Sequence, residues 1–182
     1  MHILKIKRVI VLVALLTVAG LTVLGYTDNS PSPESVAFAQ TTSDLMLNEL
    51  TAALFQEFNE TTPDNVEHGK QAISLIFNDA NRDMRLIGRF SPLLGGYNDL
   101  PSDSFEQRAL ARALQGENIT SVERADGRWF YRRSLALSNS FHQACVLCHT
   151  NFTPQFFQRT NNPGQWVGAL TLRVPINNEN NH

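Results

Sequence analysis

The chain has 182 residues, with 15 Lys and Arg against 17 Asp and Glu and a formal net charge of -2. Charge this close to balance, with the basic residues scattered, supplies neither a nucleic-acid footprint nor a polybasic membrane patch. There is no repeat, and the one biased tract is the Asn-rich tail from Asn177 to His182, expected to be disordered.

Lys5, Lys7 and Arg8 precede an almost unbroken apolar run from Val9 to Leu24, the layout of a secretory signal. Ala37 and Ala39 supply a small-x-small pattern, which places cleavage after Ala39. The competing reading is a retained anchor, although roughly 16 apolar residues fall just short of the roughly 20 that span a bilayer. In both cases the basic residues hold the N-terminus inside and the remainder is exported, to a periplasm or a thylakoid lumen. Removing residues 1–39 leaves about 143, one ordinary domain over 40–176 followed by the tail 177–182.

Leu47, Leu50, Leu54 and Phe58 recur at helical spacing, so a helix is expected from Thr42 to Phe58, with Ser43 and Asp44 as its start signal. Thr62-Pro63-Asp64 then opens a second helix whose apolar face is Val66, Ile73, Ile76, Phe77 and Ala80. Glycines and prolines between Met84 and Pro101 predict a short extended piece around Arg85 to Phe90 and a long loop of the kind that often holds ligands. Ser102 to Glu106 starts a third helix that Gly116 ends. Ile119 to Arg124 and Arg128 to Leu137 form extended runs joined at Ala125-Asp126-Gly127, a hairpin signal. Phe141 to Arg159 is a loop with some helix around the cysteines, and Trp166 to Ile176 is a final strand up to Pro175. Helices, hairpin, loop and strand in this order predict an α+β domain with a small antiparallel sheet backed by helices.

The chain's two cysteines lie in Cys145-Val146-Leu147-Cys148-His149, the C-x-x-C-H attachment pattern of c-type haem. Two thiols three positions apart can add across the two vinyl groups on one porphyrin edge, and the next side chain then offers an imidazole nitrogen to the iron. Such haem is attached outside the cytoplasm, which agrees with the export signal. Other chemistries for the pair are a structural disulfide, a thioredoxin-like dithiol, which would want a βαβ setting, and a zinc site, which would need further ligands.

The sixth iron position separates an electron carrier from a site where small ligands act. His68 is the foremost candidate for it, with His142, Met46 and Met84 behind; methionines are core fillers by default. Phe77, Phe90, Trp129, Phe141, Phe152, Phe156, Phe157 and Trp166 supply aromatic surface. Arg85, Arg89, Arg132 and Arg133 are the cations nearest in sequence for haem propionates.

From Gln71 to Ile176 the chain resembles a family of exported c-type haem domains with a PAS-like fold, found as small cyanobacterial proteins and as sensor portions of bacterial histidine kinases. The resemblance rests on Ala72-Ile73, on Arg89-Phe90-Ser91 followed by Asn98, Pro101, Asp103, Phe105 and Glu106, on Trp129 to Arg133, on the haem motif, and on Gly168-Ala169-Leu170 with Val174-Pro175-Ile176. It implies covalent haem with His149 as fifth ligand, and N-terminal helices packed on a five-stranded sheet. Where some members complete the iron with a cysteine, this chain has Ile76 and no third cysteine.

The expected function is a haem-based redox or small-ligand sensor, whose partner is a small gaseous ligand or a redox protein. A mono-haem electron carrier is the alternative, and a disulfide-stapled binding module lies outside haem chemistry. No Ser-His-Asp set, phosphate-cradling loop or paired carboxylates point to an enzyme.

Overall fold

The structure, a computed structural model, describes residues 30–62, 64–77, 83–89, 99–147, 149 and 164–177. The leader, Ala80, Phe90 and most of the loop after it, Cys148, the three phenylalanines after it and most of the tail lie outside these residues. The chain divides into two units, Met1–Ser30 and Pro31–His182, and every described helix and strand belongs to the second. Among the described residues no helix is long and apolar enough to cross a membrane.

Helix α1 spans Pro33–Asn59 and starts well before the expected Thr42. Its signal is local. Ser32 caps it by accepting the Ser35 N–H at 3.1 Å, and Pro33 takes the first turn, where a missing N–H costs nothing. Thr41 and Thr42 turn their hydroxyls back to the carbonyls of Ala37 and Phe38, as hydroxyl side chains in mid-helix do. The expected boundary at Ala39 therefore falls inside a continuous helix.

Helix α2, Val66–Ile76, begins after Asn65, later than the Thr62 start expected, and Asn65 makes no side-chain cap bond. The chain crosses tightly here, since a Cβ on Gly69 would stand 2.9 Å from the Thr61 hydroxyl. Strand β1 is Met84–Gly88 and helix α3 is Ser104–Ala113. Asp103 caps α3 through the Glu106 N–H, while the Glu106 carboxylate accepts the N–H and hydroxyl of Ser102, a reciprocal capping arrangement.

Strands β2, Thr120–Ala125, and β3, Arg128–Ser138, form the expected hairpin. Asp126 (φ 51) and Gly127 (φ 78) supply the two left-handed residues that match the twist of the strands. After the four-residue helix α4, Gln143–Val146, strand β4 runs over Trp166–Ile176. Pro175 does not end it. The N–H of Arg173 bonds the carbonyl of Asp83 just before β1, and the strand runs on through Pro175 to Ile176.

The sheet is antiparallel with order β1-β4-β3-β2, so the domain is α+β with four strands among the described residues. Alternation sends Leu135 and Leu137 of β3 and Leu170 and Leu172 of β4 to one face, against Leu47, Leu50 and Leu54 of α1 and Phe77. Full burial of each such side chain contributes roughly 1.5–3 kcal/mol. The opposite face carries Ile87, Ala136 and Ala169 against Phe105, Ala109, Leu110 and Ala113 on the α3 side. A third cluster joins Val36 and Ala39 of α1 to Tyr131, Val174 and Ile176.

Candidate functional site

The C-x-x-C-H segment is held in place by its N-terminal side. Asn139, buried at the end of β3, accepts the N–H groups of Gly164 and Gln165 at 2.9 and 3.1 Å and donates its own N–H to the Gln165 carbonyl. This clamp ties the exit of β3 to the entrance of β4 across the segment that carries the motif. His142 then caps α4, its Nδ1 accepting the Ala144 N–H at 3.1 Å. Its ring packs on Phe55 and Phe58 of α1 at centroid distances of 5.0 and 5.7 Å, and Phe141 meets Phe55 edge-on at 5.4 Å. His142 is thus a structural residue that seats α4 on α1.

Beside α4 the α1 face of the sheet opens into a mainly apolar cleft, an empty volume of about 1450 Å³ including its open mouth. Thr51, Leu54, Phe55 and Phe58 of α1, Ile73 of α2, Phe77, Leu86 and Ile87 of β1, Leu135 and Leu137 of β3, and Trp166 to Gly168 and Leu170 of β4 wall it. Ala144, Cys145 and His149 belong to the same wall. Two backbone features mark the strands beside it. The register shift at Leu137/Ser138 turns the β3–β4 pair at the rim. Gly168, opposite Gly88 in the β1–β4 pair, leaves no Cβ to collide with the Ile87 carbonyl.

The chemistry of the wall suits a large apolar cofactor with a single metal-binding nitrogen. Burial pushes the pKa of His149 below its usual 6.5, which keeps the imidazole neutral, the form that binds a metal. Burial likewise raises the Cys145 thiol above its usual 9.0, with backbone hydrogen bonds from His142 and its own amide acting the other way. That suits a protonated thiol, not a reactive thiolate. Among the described residues no group of three or more His, Cys, Asp or Glu is placed to hold a metal ion.

The other sequence candidates scatter. His68 does not line the cleft: its Nε2 stands 3.5 and 3.7 Å from the carboxylates of Glu57 and Glu60. Met46 and Met84 pack against the first hydrophobic core, as does Ile76. Of the four arginines, Arg89 alone lines the cleft. Arg85 faces Glu106 and donates to the Leu100 carbonyl, Arg132 pairs with Asp103, and Arg133 pairs with Asp44. Cys148 lies outside the described residues. Sequence reasoning missed Asn139, Gly168 and the buried carboxylate of Asp99, which lines the cleft beside Gly88; a glycine inside an apolar strand was the one available signal among them.

No protein-family model matches the chain, and no curated protein is significantly similar to it. Function is therefore read from the site itself.

Proposed function

We propose that the chain carries one covalent c-type haem, held by thioethers to Cys145 and Cys148 with His149 as axial ligand, and acts outside the cytoplasm as a redox or small-ligand sensor. One observation carries this reading: Cys145 and His149 stand together in the wall of a single cleft, and its other walls are mainly aliphatic and aromatic. A porphyrin needs such walls on both faces and a neutral imidazole on one.

The chain's residues divide the work. His149 would give a nitrogen to the iron, while the Asn139 clamp and the His142 cap hold the segment that presents it. Leu54, Ile73, Phe77 and Leu137 would exclude water from the bound group, and Arg89, which also lines the cleft, would offer a cation to a propionate. When bound, the haem would supply an iron able to change oxidation state and to take a neutral ligand. The sensor is favoured because His68, His142, Met46 and Met84 all have other placements, so the described wall offers His149 as its one imidazole and no thioether. A PAS-like frame agrees with the antiparallel sheet between helices.

A mono-haem electron carrier is the second reading, favoured by the rim. Phe141 and Trp166 line the cleft yet are 37% and 38% exposed, and Val146, beside Cys145, is 38% exposed. An exposed apolar rim suits transient docking of a redox partner.

Optical spectra of the chain matured with c-type haem decide the matter. A pyridine haemochrome of the two-thioether type, lost in Cys145→Ser, is expected, and its absence sinks the haem assignment. A high-spin spectrum that shifts on carbon monoxide supports the sensor; a low-spin spectrum indifferent to the gas gives the electron carrier.

A further inference from the structure

The mature N-terminus is open to a reading that does not depend on the haem assignment. Ala37-Phe38-Ala39 is the only Ala-x-Ala triplet before Ala109, so it is the obvious place for a peptidase to cut. The structure puts it in the second turn of α1, in a helix already capped by Ser32 and begun by Pro33. Ala39 is 1% exposed, and with Val36 it covers Tyr131, Val174 and Ile176. The compact unit starts at Pro31.

A cut after Ala39 would remove the cap, the proline and the first turns together. It would uncover the apolar ends of β3 and β4, and it would place the new ammonium of Gln40 at a helix N-terminus, where the helix dipole repels positive charge. Residues 31–39 are thus built as part of the folded domain. The leader sequence then has another use. No charge occurs from Val9 to Thr27, and at ~1.5 Å per helical residue that stretch reaches about 28 Å, against roughly 30 Å of hydrocarbon. Lys5, Lys7 and Arg8 flank it on one side and Tyr26 closes it on the other, the basic and aromatic flanks of a membrane span.

We infer that the N-terminal segment stays on the mature protein as a membrane anchor, so that the exported domain works tethered to a lipid bilayer and Ala37-Phe38-Ala39 is a packed helical turn instead of a cleavage site.

The test is the full chain, expressed with its own N-terminus in a bacterium able to mature c-type haem. The expected result is protein that stays with membranes through an alkaline carbonate wash, is released by detergent, and has an intact mass that includes the segment from Val9 to Thr27. Soluble protein starting at Gln40 overturns the inference, and so does a new N-terminus between residues 25 and 33. Ala37 is exposed, so Ala37→Leu blocks a peptidase without disturbing the fold. The variant is expected to match the parent in mass and fractionation; a switch from soluble to membrane-bound on this change would show that the parent is cut there.

Discussion

The two faces of the sheet use opposite packing strategies. On the α3 face, Ala109 and Ala113 of the helix meet Ala136 and Ala169 of the strands, and small side chains on both partners bring the layers close enough to seal. Polar groups finish the seal. Glu106, 1% exposed, accepts bonds from Ser102 and Thr171 and faces Arg85, while the Arg132 guanidinium lies 4.4 Å over the Phe105 ring. On the α1 face the contacts come mainly from leucines and phenylalanines, and this face supplies most of the cleft wall. Close packing of small side chains thus marks the α3 side of the sheet, and the greater part of the cleft wall belongs to the α1 side.

If that division is real, the largest loss comes from unmaking the sealed side. Glu106→Ala removes the partner of Arg85 and an acceptor for Ser102 and Thr171 in a nearly dry site. Breaking one member of a buried charge pair costs about 3–5 kcal/mol. Denaturant unfolding should show a midpoint shift of that size, and a loss below about 1 kcal/mol would mean the network is surface decoration.

Volume changes give the next contrast. Ala109→Leu forces extra methylenes between α3 and the sheet, and overpacking of a close-packed site costs roughly 1–3 kcal/mol. Ile73→Phe adds bulk at the wall of the cleft, where it can grow into open space, and should cost less than about 1 kcal/mol. Equal losses in the two variants, measured by the same unfolding experiment, would erase the distinction between the faces.

Elements with strong local chemistry were readable without a fold. The Asp-Gly turn announced β2 and β3, Asp103 and Glu106 announced α3, and the apolar run from Trp166 announced β4. The first turns of α1 were hidden because their buried face is made of Val36, Ala39 and Ser43, residues too small or too polar to register as an apolar stripe. The pairing of β1 with β4 was out of reach for another reason: Met84 and Leu172 meet across nearly half of the chain, and no local pattern encodes such a contact. Cys145 and His149 share the cleft wall in keeping with their spacing. His68 was a candidate by residue type and three of the arginines by nearness in sequence, and their partners Glu57, Glu60, Glu106, Asp103 and Asp44 come close only once α1 and α3 are folded.

The smallest effect separates charge from capping at the edge of the sealed face. Burial by itself would raise the pKa of Asp103, but the Glu106 N–H, the Arg132 guanidinium and the Phe105 N–H outweigh it, and the carboxyl titrates below its ordinary 3.8. A carboxylate whose pKa is depressed by folding stabilises the fold at any pH above its unfolded value, and that contribution fades as pH drops through the folded pKa. The Asp103 side chain is 39% exposed, so solvent screening holds the contribution under about 1 kcal/mol. Asn serves as well as Asp at a helix N-cap, so Asp103→Asn keeps the bond to the Glu106 N–H and removes only the attraction to Arg132. Unfolding midpoints followed from neutral pH down through the carboxylate range should show the parent losing its small advantage over the variant as acid protonates Asp103. If the two curves stay parallel throughout, Arg132 is held by Phe105 and its packing, and the ion pair contributes nothing to the seal.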